Sequence, residues 1–420
     1  MVKRSRRGWG WLAFLVLGLG VSSTALAETY RARGIRVYRA PARVIFDGLP
    51  KEFDGAWRGL TTVVEGSCKL EGKALLAYDD KGIYVAADIQ DPKISGGRDH
   101  LELLLGVPGR TTVSLKLFPG VAGKSRSKIA VGNRTIKGAK IVEAPHEGGF
   151  SVEGLVPWAA IPRSRRVRIG YRGALRYRDT DRGCAIGTST ATAYAELPSV
   201  SMPSELALGH GLLRRRNIET PPQFNLLVDV VGDRRLERVL VYDRYLAVLG
   251  PGYRAGEEYY YRDLNTPQIL ELKAKDWTGD GRVDLLIKKR VTGTRGHVDV
   301  VELISYHGGA EAPAAVFAHE VALSLEGGGT ITNAYELTGE GARTEVVLEP
   351  GTEQGIDRGR FERVSNTGAP PVLVPWGRVT KQVYRLSNQG SFELVDEKTR
   401  AVVAPPPPPA PALPPTPRPT

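Results

Sequence analysis

The chain has 420 residues, with 58 Lys and Arg against 46 Asp and Glu and a formal charge of +12. Its 41% hydrophobic residues are spread through the body without an apolar run of eighteen, which excludes both wholesale disorder and a membrane-spanning mature chain. The 49 Gly and 29 Pro imply frequent turns, and the fold class expected is all-β.

Residues 1–27 read as a signal peptide: Lys3, Arg4, Arg6 and Arg7, an apolar run from Trp9 to Val21, then Ala25-Leu26-Ala27 as a small-x-small cleavage site. Export to the periplasm or beyond follows, with no transmembrane segment left after cleavage. In an oxidising compartment Cys68 and Cys184 are expected to form one disulfide, two buried free thiols being the alternative. Charge is uneven along the rest. Residues 28–200 hold 28 bases against 18 acids, and residues 201–420 hold 26 against 28. The basic segment points to an anionic polymer or surface as its partner.

Residues 28–204 read as strands. Ala74 to Tyr78 and Ile83 to Ile89 flank the turn Asp79-Asp80-Lys81-Gly82 as a hairpin, and the Leu101–Leu105 and Val113–Leu117 runs alternate apolar with polar. Two packed sheets are the economical solution. From Val167 to Arg178 the odd positions Val167, Ile169, Tyr171, Leu175 and Tyr177 are apolar, while Arg168, Arg172, Arg176 and Arg178 share the other parity. That row is the predicted ligand-binding face for an anionic polymer, with Tyr171 and Tyr177 as candidate ring platforms.

Several landmarks follow one another in a recognisable order. They are Ile45-Phe46-Asp47-Gly48-Leu49, Phe53-Asp54-Gly55-Ala56-Trp57, Ala77 to Ala87, Asp99-His100-Leu101-Glu102-Leu103, Gly149 to Glu153 with Val156-Pro157-Trp158, and Tyr177-Arg178-Asp179-Thr180-Asp181. The segment resembles the family 9 carbohydrate-binding modules. The resemblance implies a β-sandwich that binds sugars, with Trp57 and Trp158 at positions that look like core landmarks. Haem, used by relatives of this sandwich, needs axial Met or His, and Met202 at the domain edge is the one Met left after the signal.

Residues 205–400 form a second β-rich domain with an acidic repeat. Asp229 to Glu237, Asp276 to Asp284 and Glu336 to Glu345 each lead into an apolar run. The pattern resembles FG-GAP (VCBS-like) repeats, over about 220–350, in which an acidic loop joins two strands of a propeller blade. A partial propeller and another sandwich are both open. Asp276, Thr278, Asp280 and Asp284, with the Arg282 carbonyl, are the expected ligands of one calcium ion, because alternating oxygens on a Gly-permitted turn converge on such a cation. In the other two copies ligands are replaced or the spacing is lengthened, so neither is expected to bind.

Residues 401–420 are a Pro-rich tail, expected to be disordered. No Gly-x-Ser-x-Gly occurs, His319-Glu320 lacks a second His, and Gly120 to Ser125 is too short for a phosphate loop. Asp79-Asp80 and Asp179 with Asp181 read as solvated turn acids. The expectation is an exported, non-enzymatic protein that binds carbohydrate or an anionic envelope polymer, without a nucleic-acid partner. The alternative is a structural or assembly protein of the envelope that docks a protein.

Overall fold

The hairpin at the centre of the first half is built by its turn. Asp79 takes the N–H of Lys81 at 2.7 Å and of Gly82 at 3.1 Å on Oδ1, closing the chain between two β-branched and apolar runs. The computed structural model describes residues 34–401 except 54, 56, 68, 110, 307–311, 340–342, 360 and 362–366. The signal peptide, nearly all of the Pro-rich tail and Cys68 therefore lie outside the described residues. Among those described, no helix is long and apolar enough to cross a membrane.

Strands β1 (Ile35–Arg39), β2 (Arg58–Gly59), β3 (Thr62–Glu65), β4 (Glu71–Tyr78), β5 (Gly82–Gln90), β6 (His100–Val107) and β7 (Thr111–Phe118) are followed by β8 (Lys128–Val131), β9 (Arg134–Thr135), β10 (Lys140–His146), β11 (Gly149–Pro157), β12 (Tyr171–Asp179), β13 (Cys184–Gly187) and β14 (Ser199–Ser201). They form two layers with a shared corner. One layer runs β10-β11-β5-β4-β1, the other β14-β12-β6-β7-β8-β9, and β1 pairs with β4 through Val37–Arg39 and with β14 through Ile35 and Arg36. The inner parities meet in one core that includes Leu76, Val85, Leu103, Leu115, Val152, Leu175 and Tyr177. This is a β-sandwich, as expected.

Both outer faces are partly roofed by the chain. Over the first layer, the segment from Ala40 to Trp57 lays Val44, Phe46 and Phe53 on Leu75, Ala77, Tyr84 and Leu155. Ser151 donates to the Gly48 carbonyl and Glu153 accepts the Gly48 N–H at 2.9 Å, which pins that segment. Over the second layer, the chain after β13 lays Ala191 and Leu197 on Leu104 and Ala174.

A short helix, α1 (Pro203–Leu208), continues as a π-helical turn through Gly209–Leu213. It covers one face of a four-stranded meander, β15 (Phe224–Val228), β16 (Glu237–Tyr242), β17 (Tyr245–Leu249) and β18 (Tyr259–Asp263). The other face packs on the last sheet through Val239, Val248, Leu272, Leu285 and Ile304. That sheet holds β19 (Ile269–Lys275), β20 (Asp284–Gly293), β21 (Gly296–Ser305), β22 (Ala314–Leu325), β23 (Thr330–Thr338), β24 (Glu345–Gln354), β25 (Val379–Leu386) and β26 (Phe392–Thr399), paired in chain order. β22 and β23 are joined by pairing at Ala322–Ser324, and the two four-strand halves of this sheet pack on each other through Leu286, Leu303, Val346 and Leu348.

Candidate functional site

The predicted arginine row is placed where the alternation put it, on the outer face of β12, but it is occupied by the chain itself. Arg172 donates to the carbonyls of Ala195 and Leu197, both at 2.8 Å. Arg176, only 8% exposed, donates to the Ser189 and Ala191 carbonyls and lies beside Glu102. Arg178 pairs with Glu65. Arg168 precedes β12, rests on the Trp158 ring at 5.0 Å and approaches Asp80. The reading of a solvent-facing ligand row is corrected at Arg172 and Arg176, where the 188–198 segment roofs the face and its carbonyls take their donors, while Arg178 stays part-exposed in an ion pair and Arg168 lies outside the strand. Tyr171 and Tyr177 are likewise not platforms, being 2% and 0% exposed. Tyr171 donates to the Val167 carbonyl, and Tyr177 to Asp91 at 2.8 Å. Trp158 is core as expected, its indole N–H donating to the Asp79 carbonyl at 2.7 Å.

The open surface lies on the opposite layer. Where the 40–57 roof ends, the outward parities of β4 and β5 present Glu71, Lys73, Asp88 and Gln90 along a groove of about 520 Å³, with Thr61 on its rim. Asp88 is its hub. It meets Lys73 at 3.4 Å, the Gln90 amide at 3.3 Å and His146 Nε2 at 3.0 Å. His146 is also held by the Glu147 carbonyl, and these contacts raise its pKa. Trp57, half-buried, stands beside this array with the Lys73 ammonium 5.1 Å from its ring. A ring bordered by mixed donors and acceptors is the composition a sugar site needs. The alternation Glu71, Lys73 and Asp88, Gln90 was visible in the sequence; which end of the sheet stays uncovered was not.

The acidic loops join β15 to β16, β19 to β20 and β23 to β24, the first two strands of successive four-strand sets. Two of them share one hydrogen-bond pattern. Asp276 accepts the N–H groups of Gly279 and Gly281 at 2.6 and 3.0 Å, and Asp229 those of Gly232 and Arg234 at 2.6 and 2.7 Å. Asp280 accepts Arg282 N–H at 2.9 Å as Asp233 accepts Arg235 N–H at 2.8 Å. Asp284 and Glu237, both fully buried, close the loops by accepting the N–H of Trp277 and of Val230. Arg234 stands at φ 69 where the other loop has Gly281 at φ 84, a conformation that costs a side chain about 1 kcal/mol. In the third loop Gly339 keeps the positive φ, and residues 340–342 lie outside the described residues. The loops touch in sequence order, through Val283 N–H on the Asp229 carbonyl and the Thr344 hydroxyl on the Trp277 carbonyl. In the second loop Thr278 and Asp284 are buried, Asp276 and Arg282 half-buried and Asp280 exposed.

Among the described residues, the one set of three acids whose oxygens lie within 4.8 Å of one another is Asp91, Asp99 and Asp179. Asp179 is 1% exposed, so it is not the solvated turn acid expected. The chain supplies donors to all three. Tyr177 serves Asp91, Thr180 serves Asp99 at 2.8 Å, and the N–H groups of Asp181 and Arg182 serve Asp179, with the Arg182 guanidinium 3.4 Å from it. The set ties the loop before β6 to the turn after β12. Cys184 is buried at the start of β13 and no cysteine is free among the described residues, while Cys68 is not described.

No protein-family model matches the chain, and no curated protein does. Among solved structures, it is similar in part to a family 9 carbohydrate-binding module from Caldicellulosiruptor kristjanssonii in complex with glucose, at 15% identity over 36% of this chain and 85% of that one, TM-score 0.29. A module from the same organism in complex with cellotriose gives 13% identity, 40% and 92% coverage, and a TM-score of 0.31.

Proposed function

We propose that the protein is an exported, non-catalytic binding protein whose sandwich takes carbohydrate in the groove beside Trp57. The observation that carries this reading is the groove itself: Lys73, Asp88 and Gln90 line it on an otherwise roofed sheet, and the Trp57 ring stands at its side under the Lys73 ammonium. Apolar sugar faces pack on such a ring, and hydroxyls exchange hydrogen bonds with the polar array. On an array of neutral and acidic polysaccharides, the full-length protein is expected to retain neutral glycans, and Trp57→Ala to weaken that retention at least about tenfold, as loss of a buried aromatic contact does. Asp88→Asn should weaken it further by freeing Lys73 and His146. Equal retention by wild type and both variants would remove the groove from consideration.

One calcium ion at the Asp276 loop belongs to the same proposal, as does a Cys68–Cys184 disulfide. Calcium is expected to raise the melting temperature of wild type but not of Asp280→Ala. An equal rise in both would move the ion elsewhere, with the Asp91–Asp99–Asp179 set as the first place to look. A second reading, docking of a protein partner in the envelope, is favoured by β26. It is the last strand of its sheet, and Leu394 and Val395 are 47% and 49% exposed on it, leaving an edge open to strand addition.

A further inference from the structure

We propose that the outer edge of the four-stranded meander carries a second binding surface, made by Tyr259 and Tyr261 with Arg214, Arg215 and Arg216, and that it takes an anionic polysaccharide. This rests on the reading of the protein as a polymer binder and adds where negative charge is recognised. β18 is the terminal strand of its sheet. Tyr259 and Tyr261 share its α1-side face, opposite Leu249 and Ala247 of β17, whereas Tyr260 has the other parity and donates to the Pro313 carbonyl. The rings form a continuous patch: Tyr259 to Tyr261 is 6.2 Å between centroids, and Tyr261 to Tyr245 is 6.4 Å. The helical turn covers the inner part of this face and stops short of Tyr261, which is 42% exposed.

Where the helical turn ends come three consecutive arginines, two of which contact the same patch. Arg215 donates to the Tyr259 hydroxyl at 3.3 Å, and the Arg216 guanidinium lies 5.5 Å over the Tyr245 ring. All three are exposed, and none is ion-paired among the described residues. Nearby, Arg244 is paired with Asp263 at 2.6 Å, so that acid is largely neutralised, and Asp243 is the other acid at the adjoining turn. Arg216 also acts on Asp263, and counting Arg214, Arg215, Arg216 and Arg244 against Asp243, Asp263 and the exposed Glu219 that follows the run leaves an excess of one positive charge. This differs from the row on β12, where Arg172 and Arg176 already serve chain carbonyls and Arg178 is paired with Glu65. Here Arg215 and Arg216 are held by the tyrosines, which pre-organises them for carboxylate or sulfate groups. The exposed Tyr261 ring offers a face on which a sugar of the same chain packs. Charge complementarity thus selects an acidic glycan over a neutral one.

The test is affinity electrophoresis of the full chain through gels containing polygalacturonate, with neutral dextran as comparator. Wild type is expected to be retarded by polygalacturonate and progressively released by salt. Tyr261→Ala should lower the affinity about tenfold and Tyr261→Phe leave it within twofold, because the ring face and not the hydroxyl makes the contact. Combined Arg214→Gln, Arg215→Gln and Arg216→Gln should remove the salt-sensitive part, while combined Arg168→Gln, Arg172→Gln and Arg176→Gln should leave it, provided the fold survives by circular dichroism. Retardation equal in wild type, Tyr261→Ala and the Arg214–Arg216 variant would overturn this surface and leave the polymer-binding reading standing. Loss in Tyr261→Ala without loss in the arginine variant would overturn the anionic class. Wild type unretarded on polygalacturonate would overturn the surface, and the function falls with it only if neutral glycans are also unretained on the array.

Discussion

Replacing Asp284 by Ala is expected to destabilise the last sheet by about 3 kcal/mol or more, since each buried donor left without an acceptor costs about 1–3 kcal/mol. Asp284 is fully buried and its Oδ2 accepts two backbone donors, Trp277 N–H and Thr278 N–H, both at 2.8 Å. Its Oδ1 takes the Thr278 hydroxyl at 3.3 Å. Truncation strands all three in a site that water does not reach. Burial raises the pKa of this carboxyl, while hydrogen bonds from Ser305, Thr278 and Trp277 oppose that rise. Asp284→Asn keeps an acceptor oxygen and should cost markedly less. Urea unfolding measures the loss, and hydrogen exchange at the Trp277 and Thr278 amides localises it. A change below about 1 kcal/mol, with both amides still protected, would mean that the loop is held by something else.

The acidic repeat was legible because its chemistry is local. Asp at the first and fifth positions, Gly where φ must be positive and an acid at the ninth are all set by a turn of nine residues, and two copies fold alike despite Arg234 replacing a Gly. The strands were legible for the same reason: alternation in Ala74–Tyr78, Ile83–Ile89 and Leu101–Leu105 reports which parity meets the core. Alternation says nothing about what lies on the other parity. Arg172 and Arg176 have the parity predicted for them, yet a roof contributed from residues 188–198 turns a solvent face into an interior one. In the same way Tyr171 and Tyr177 point inward while Tyr261, the last of three consecutive tyrosines, is left uncovered because the helical turn before it is short. Both candidate binding surfaces are thus defined by where a covering segment ends, and that is a property of tertiary packing.

Glu237, the ninth residue of the first loop, should make stability fall as pH rises. Burial, reinforced by Asp233 and Asp229, pushes its carboxyl up to about 8, although the Gly252 and Val230 N–H groups oppose the shift. In the unfolded chain it titrates near the ordinary Glu value of about 4.3. Between these two values the folded state holds a proton that the unfolded state has lost. The contribution is therefore complete below the unfolded value and is lost progressively until pH passes about 8. The slope cannot exceed about 1.4 kcal/mol per pH unit. Glu153 beneath Gly48, raised to about 7 by burial, adds a decline of the same sign in the sandwich, so wild-type stability alone does not isolate Glu237. The difference between wild type and Glu237→Gln does. Gln retains one acceptor for the two N–H groups and cannot ionise, so the variant should be about 1 kcal/mol less stable at pH 5 and the more stable of the two at pH 9. Urea midpoints across that range measure the crossover. Parallel curves without a crossover would show that Glu237 folds with its charge already balanced, with Arg235, whose guanidinium is bound to Asp233, as the group to examine next.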